Sequence, residues 1–514
     1  MSSYLGNAVI LTGSGLLLRA AGMGLRVYMA GLLGSEGMGL YQLIFTMYGL
    51  SIALATSGVS VAAARLTAEQ ISSPHVSTVP AAMARVLLAA GGLGMTACGL
   101  QLALAKPAAR WWLGDERAAL PLLILAGSLP FMALGAAMRG YFLARRRVSP
   151  NVQAQLLEQT VRIALIAQFL PAAAGHGLAQ GCAAVVLGNL VSEVVSCLCM
   201  AFFYRRDVRR QFGPGPYPHP EKIGRRLWRI LAPLEASRCL TSSLSAAENV
   251  LVPLCLTISM GQRHRALAAY GALKGMALPV MFFPFSFLNT LSTLLMPEVT
   301  RAYIRRDGEQ MNRLLDRMMQ LTGTVAVLAG GLFTQYAQPL AQLLYHDEEV
   351  GLYIRILGPV MPFLYLESMV DGVLKGMDEQ ISTFKYSTWD SVLRIAAIMI
   401  LLPRFGMMGF LFVMICSNLF TCGLNVRCMQ RTAQLHPHWC RWLLAPVGAF
   451  ALSAWAVQCA MARAALDGAK WQLAVGCTAT AGVYLLLLLP LGLHRLAVQL
   501  FCGRKHGQPE ASCP

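Results

Sequence analysis

The sequence predicts an all-α membrane protein of about fourteen transmembrane helices. Three observations carry this. The 514 residues are 56% hydrophobic and only 13% charged, about half the charge a soluble surface of this size requires. Apolar runs near the length of a bilayer crossing recur along the whole chain. Between them no stretch is long enough to enclose a soluble core; the largest candidate, Tyr204 to Arg226, is far too short.

Taken in order, the runs place helices at 7–31, 38–64, 81–105, 118–143, 152–173, 178–203 and 228–257, then at 268–296, 314–335, 351–374, 382–402, 405–427, 441–463 and 470–493. Each is close to the twenty or so residues that span hydrocarbon at 1.5 Å per residue. The first carries arginines and runs into a short turn, so it reads as a retained helix rather than a cleaved signal. Gly22, Gly24, Gly91, Gly92 and Gly94 suit close helix packing. Pro279, Pro284 and Pro297 punctuate the eighth helix and predict kinks there. Lys385, Asp390 and Arg394 interrupt the eleventh, the least apolar of the set.

The net charge of +18 sits mainly in short loops, so it points to topology and anionic headgroups rather than nucleic acid, for which no motif is present. Alternate loops hold Arg145, Arg146 and Arg147, then a run from Arg205 to Arg226, then Arg301, Arg305, Arg306 and Arg313. Lys375, Arg427, Arg431 and the tail residues Arg495, Arg504 and Lys505 continue the set, whereas the opposite loop at 345–351 is acidic. The bias predicts an inner-membrane protein with both termini cytoplasmic, which an even number of spans satisfies. Lys106, Arg110, Arg263 and Arg265 run against it. The fourteen cysteines lack metal or redox spacing and read as small packed hydrophobes. His75, His176, His219 and His346 fall in loops without partner ligands, and no metal site is expected.

An internal echo divides the chain. Glu158-Gln159-Thr160-Val161-Arg162-Ile163-Ala164 in the fifth helix matches Asp390-Ser391-Val392-Leu393-Arg394-Ile395-Ala396 in the eleventh. Arg139-Gly140 and Lys375-Gly376 lie upstream of each. An offset of six helices implies two pseudo-symmetric six-helix lobes. The boundaries are 1–204 for the first lobe, 205–227 for a basic linker, 228–430 for the second lobe, and 431–514 for two further helices and a tail.

Charges inside the spans supply the candidate site. Each costs about 2.5–3.5 kcal/mol at mid-bilayer by insertion scales, so several persist only around a wet cavity or in pairs. Arg19 lies near the middle of the first helix, and Arg26 is two turns on along the same face. Glu158 with Arg162, and Asp390 with Arg394, are four apart: either intrahelical pairs or cavity groups. Glu367, Asp371 and Lys375 form a stripe; Glu235, Arg238 and Glu248 complete the cavity and gating set. Glu193 lies mid-helix without a cation near it in sequence and reads as protonated and structural. Cations in both lobes imply a cavity suited to phosphate or diphosphate.

Arg19-Ala20-Ala21-Gly22, Arg26 and the run Gly31-Leu32-Leu33-Gly34-Ser35-Glu36-Gly37-Met38-Gly39-Leu40-Tyr41-Gln42 resemble the start of polysaccharide-type flippases of the multidrug/oligosaccharidyl-lipid/polysaccharide (MOP) superfamily. The resemblance continues in Arg139-Gly140-Tyr141-Phe142, in Leu157 to Arg162, in Glu248 to Pro253, and from Tyr270-Gly271 through Gly275 to Pro279 and Met296-Pro297-Glu298. Together these are similar to the stage V sporulation protein B group, relatives of the MurJ-type lipid II flippases. It covers the first twelve helices.

That resemblance implies a MATE- or MurJ-like pair of lobes around a central cavity with alternating access. It implies an undecaprenyl-diphosphate-linked peptidoglycan precursor as cargo, for spore cortex or cell wall, with Arg19 and Arg26 on its diphosphate and the last two helices, 441–493, as a groove for its tail. Another lipid-linked oligosaccharide and a cation-coupled drug exporter of the same fold remain open alternatives. A membrane glycosyltransferase would need a larger outward loop, and a scaffold has no use for a mid-helix Arg19. The expected protein is a monomer and not an enzyme, with lipids, the lipid-linked sugar and wall-synthesis enzymes as partners. It needs no cofactor; coupling to a monovalent cation near Glu235 or Asp390, or to the membrane potential, is left open.

Overall fold

The computed structural model of the protein describes residues 2–72, 78–213, 223–433, 438–464 and 469–489. Among these every regular element is a helix. Hydrocarbon offers backbone groups no partner, and a helix satisfies them within its own segment. His75, His219, Lys222 and the basic tail lie outside the described residues.

The first element, α1 (Ser2–Thr56), would be roughly 80 Å long if straight, far beyond one crossing. Gly34 breaks it: its φ of 68° and ψ of −178° leave helical geometry in a region that strains any residue with a Cβ. The two helices expected at 7–31 and 38–64 are thus the halves of α1, and the second continues as α2 (Val59–Ile71). α3 (Val79–Pro107) follows. The expected fourth helix is bent by 45° between α4 (Ala119–Ala126) and α5 (Leu129–Ala144). α6 (Ser149–Ala174), α7 (Leu178–Phe212) and α8 (Ile223–Met260) come next. α7 and α8 thus take up both ends of the expected linker at 205–227.

The single eighth helix expected at 268–296 is several pieces: α9 (Arg263–Tyr270), a π-helical turn (Gly271–Ala277), α10 (Leu278–Phe282) and α11 (Phe285–Ile304). Breaks fall next to Pro279 and Pro284, which lack an N–H to donate, while the helix is continuous through position 297. α12 (Gly308–Gln335), α13 (Ala337–Tyr345), α14 (Glu348–Leu357) and α15 (Met361–Gly376) follow. The acidic loop starts a helix, because Asp347 Oδ1 accepts from the Glu349 and Val350 amides at 2.9 and 3.4 Å and so caps α14. α16 (Gln380–Ala433) is broken at Gly406 (φ 57°, ψ −139°), just inside the start of the helix expected at 405–427. α17 (Ala445–Ala464) and α18 (Ala469–Leu488) close the described chain.

By length and apolarity seven described helices qualify as crossings, or eight with the bent pair, and two of them (Gly13–Ile71 and Gln380–Ala433) are long enough for two each. The remaining segments, α6, α9 to α11, α12 and α18, are shorter or more polar; with them the described residues supply the expected set of about fourteen. The protein is a multi-pass membrane protein.

Two compact units are present. The first holds Met1–Ser286 and Ser387–Ser417, and the second holds Phe287–Tyr386 and Asn418–Pro514. In the first unit α1 packs closely on α9 and the π turn. A Cβ on Gly39 would lie 2.1 Å from the Leu267 carbonyl oxygen, and one on Gly271 would lie 2.0 Å from that of Ser35. Backbone meets backbone, so neither side can yield by rotating a side chain. Gly271→Ala is expected to destabilise the protein by about 1–3 kcal/mol through forced separation of these segments. Thermal unfolding in detergent measures this, and an unchanged midpoint would exclude the tight crossing. In the second unit Trp442 is fully buried; its Nε1 donates to Asp316 at 2.7 Å, and Tyr484 donates to the Thr324 carbonyl at 2.8 Å. These bonds fasten α18 and the π-turn preceding α17 to α12.

Candidate functional site: a cationic cavity and two charge clusters

The first half of α1, α6 and the chain around α10 enclose a cavity of about 560 Å³ in the first unit. Arg19, Arg26 and Arg162 line it, with Tyr41 and Phe45 from the second half of α1. Arg19 Nη1 donates to the Ser286 carbonyl at 3.0 Å, a neutral contact that leaves the charge uncompensated. Arg26 is half-buried and has no carboxylate within 4.0 Å among the described residues. Arg162 is different. Its Nη2 lies 2.5 Å from Glu158 and 3.7 Å from Glu193, and its Nε donates to Ser192 Oγ at 3.4 Å. Glu193, which the sequence left without a cation, therefore has one from the neighbouring helix.

The matching motif in α16 builds a second cluster in the same unit. Arg394 pairs with Asp390 four residues back and with Glu248 of α8 at 3.3 Å, while Ser417 Oγ donates to Asp390 at 2.6 Å. Both echoed pairs thus exist as intrahelical pairs, and each arginine also meets a glutamate from another helix. Sequence reasoning missed Lys274. It lies in the π turn, with Nζ 4.0 Å from Glu248 and 5.7 Å from the Phe410 ring centre. A lone lysine in the apolar run Gly271–Leu278 was the available signal. Two cations and two carboxylates balance here, whereas the three arginines lining the first cavity have two glutamates between them, both on Arg162.

Arg238 lines a second, adjoining cavity of about 480 Å³ that shares Phe45 with the first. Both Glu235 oxygens are buried without a hydrogen-bond partner among the described residues. Asp371 belongs to the second unit, where it pairs with Lys375 at 2.6 Å on a half-exposed surface, and Glu367 accepts from Asn418.

Ionic knots also join helices to the loops next to them. Arg145 and Arg147, expected to face headgroups, instead hold the buried Asp207 at 2.5 and 2.7 Å, with Tyr141 donating to the same carboxylate at 2.8 Å. Elsewhere Arg117 bridges Glu36 and Asp115, each at 2.8 Å, while Arg263 donates to the Leu113 carbonyl. Burial pushes the Asp115 carboxyl up, but the hydrogen bonds and charge of Arg117 outweigh it and hold it below the ordinary value of 3.8. A depressed carboxylate stabilises the fold above its unfolded pKa and loses that contribution as pH falls through the lower folded value. The stability difference between the wild type and Asp115→Asn is therefore expected to stay constant between about pH 5 and 8, shrinking only below about 4. Thermal melts of both proteins across that range measure it, and a difference that changes near neutrality would contradict the assignment.

Comparisons with known proteins fit this architecture. Residues 4–231 match the family described as polysaccharide biosynthesis protein. The stage V sporulation protein B of Bacillus subtilis (strain 168) is 25% identical over 420 residues, 79% of this chain and 80% of that one. The sporulation protein YkvU of the same organism is 21% identical over 72% of this chain and 81% of its own. Among solved structures, the lipid II flippase MurJ in an inward closed conformation aligns with a TM-score of 0.71 at 12% identity, covering 95% of this chain and all of that one. An inward-facing multidrug resistance MATE family transporter of the MOP superfamily aligns at 0.66 and 17% identity, over 83% of this chain and 98% of that one. The glycine-broken first helix pair and the helices that follow thus share the fold of the MATE and MurJ structures, and the similarity to the polysaccharide biosynthesis protein family covers residues 4–231.

Proposed function

We propose that the protein is an alternating-access flippase for a lipid carrying a diphosphate-linked sugar. The observation that carries this reading is the pair Arg19 and Arg26, facing one cavity with no carboxylate of their own. An uncompensated cation in a membrane segment is costly, and an anionic headgroup would complete it with short, charge-assisted hydrogen bonds. Arg162 would add a third donor group while held in place by Glu158 and Glu193.

The specific cargo we infer is an undecaprenyl-diphosphate-linked peptidoglycan precursor used for spore cortex or cell wall. The sporulation names among the relatives and the lipid II flippase among the fold neighbours support that choice. The protein would act as a monomeric transporter, not an enzyme, in the bacterial cytoplasmic membrane with both termini cytoplasmic, near wall-synthesis enzymes. Residues 1–204 and 228–430 would be its two moving lobes and 431–514 an accessory tail groove. Drive would come from the membrane potential or from a monovalent cation at Glu235, since Asp390 is engaged by Arg394 and Ser417.

Reorientation of lipid II by the purified protein in liposomes tests the reading, with a lipid-linked oligosaccharide lacking the muramyl peptide as competitor. Lipid II movement that resists this competitor is the expected result. Full inhibition would point to a broader lipid-linked oligosaccharide flippase, and no movement of either lipid would refute both. The unpartnered Glu235 favours one second reading, a cation-coupled drug exporter of the same fold; export of a cationic dye that fails in Glu235→Gln would establish it.

A further inference from the structure

We infer that one face of α8 is a sugar-binding subsite, the place where the glycan of the cargo lies while its diphosphate is held by Arg19 and Arg26; this rests on the flippase reading above. Arg238, Thr241, Ser242, Ser245 and Asn249 follow one another at steps of three, one, three and four residues, which puts them on one side of a helix. They lie in a segment, Arg226–Met260, that is apolar enough to cross a membrane. All five line the cavity of about 480 Å³, opposite Gln42 and Thr46 of α1.

The hydrogen-bonding capacity left in this cavity is mixed and nearly neutral. Gln42 commits its Nε2 to the Lys274 carbonyl at 2.8 Å, which leaves its amide oxygen to accept. Asn249 Oδ1 accepts from Tyr270 at 3.3 Å, which leaves its NH₂ to donate. Thr46 donates to the Gln42 carbonyl at 2.8 Å and keeps lone pairs free. The Ser242 and Ser245 hydroxyls make no hydrogen bond among the described residues. Donors and acceptors interleaved without net anion or a second cation suit hydroxyl and acetamido groups of a sugar; a phosphate would call for more cations than Arg238 alone.

Position favours the same occupant. Phe45 lines both this cavity and the cationic one, so the two adjoin, as a diphosphate and its first sugar do. A further cavity of about 390 Å³ beside Leu50, Leu100, Leu104 and Trp111 is mainly apolar and offers no such set.

The test uses the full chain in nanodiscs and two probes: a polyprenyl diphosphate without sugar, and the same lipid bearing an N-acetylated disaccharide. Wild type is expected to bind the glycosylated probe about tenfold more tightly, the worth of one or two net hydrogen bonds. The triple variant Thr241→Val, Ser242→Ala, Ser245→Ala should lose that preference yet hold the sugar-free probe as wild type does, which also shows that it is folded. A wild type without preference, or a triple variant that keeps it, overturns the subsite and means that the stripe only hydrates the cavity. Binding of the sugar-free probe that survives Arg26→Ala would instead refute the diphosphate assignment, leaving the glycan preference to decide α8 separately. If wild type binds neither probe, both readings fall.

Discussion

Arg26→Ala is expected to weaken transport of the lipid-linked cargo about tenfold to hundredfold while leaving the protein folded in the membrane. The two halves of that expectation have separate causes. Arg26 has no ion-pair partner among the described residues, so its removal leaves no buried carboxylate behind. What is lost is one charge-assisted site for the diphosphate, about 1.5–3 kcal/mol, or roughly a tenfold to hundredfold weakening. Arg19→Ala should behave alike, since among the described residues its one hydrogen bond is to the neutral Ser286 carbonyl. Arg162→Ala should not. There Glu158 and Glu193 would face each other without the cation that pairs with both, and the protein itself should be lost from the membrane. Transport in liposomes and membrane abundance, read side by side for the three variants, separate binding from folding. Full transport by Arg26→Ala would remove the main support for an anionic cargo.

Glu248→Ala is the second substitution with a large expected effect, and there the loss is structural. Glu248 is buried and pairs with both Arg394 at 3.3 Å and Lys274 at 4.0 Å. Without it two cations confront each other with Asp390 as the single remaining anion, and breaking such a set costs about 3–5 kcal/mol. Adding Lys274→Met removes the surplus cation and should restore much of the thermal midpoint, because Arg394 and Asp390 still pair. A double variant no more stable than Glu248→Ala would show that Lys274 contributes nothing to the cluster. The comparison also tests the role of the π turn, which carries Lys274 between Gly271 and Gly275.

Several elements were legible because their causes are local. The apolar runs had to be helices in hydrocarbon, and glycines at 34 and 406 stand where long helices must break. The echo at 158–162 and 390–394 left intrahelical pairs and cavity groups both open, and the structure forms the pairs, since residues four apart on a helix are neighbours whatever surrounds them. Boundaries were less legible. The eighth helix was expected in one piece, and Pro279 and Pro284 marked strain without showing that the chain would divide into short pieces with a π turn.

The sequence by itself determined an all-α, multi-pass membrane protein with Arg19 at mid-span in its first helix and Arg26 two turns on. Only the tertiary structure decided which of those cations are already neutralised. Arg162 acquires Glu193 from α7, Arg394 acquires Glu248 from α8 and shares it with Lys274, and Arg145 and Arg147 acquire Asp207. Arg19 and Arg26 acquire no carboxylate among the described residues. The physical reason is range. A helix sets its own neighbours at three and four residues, but the partner of a charge is chosen by which other helix packs against it. That choice rests on close contacts such as Gly39 on Leu267, which no spacing along the chain records.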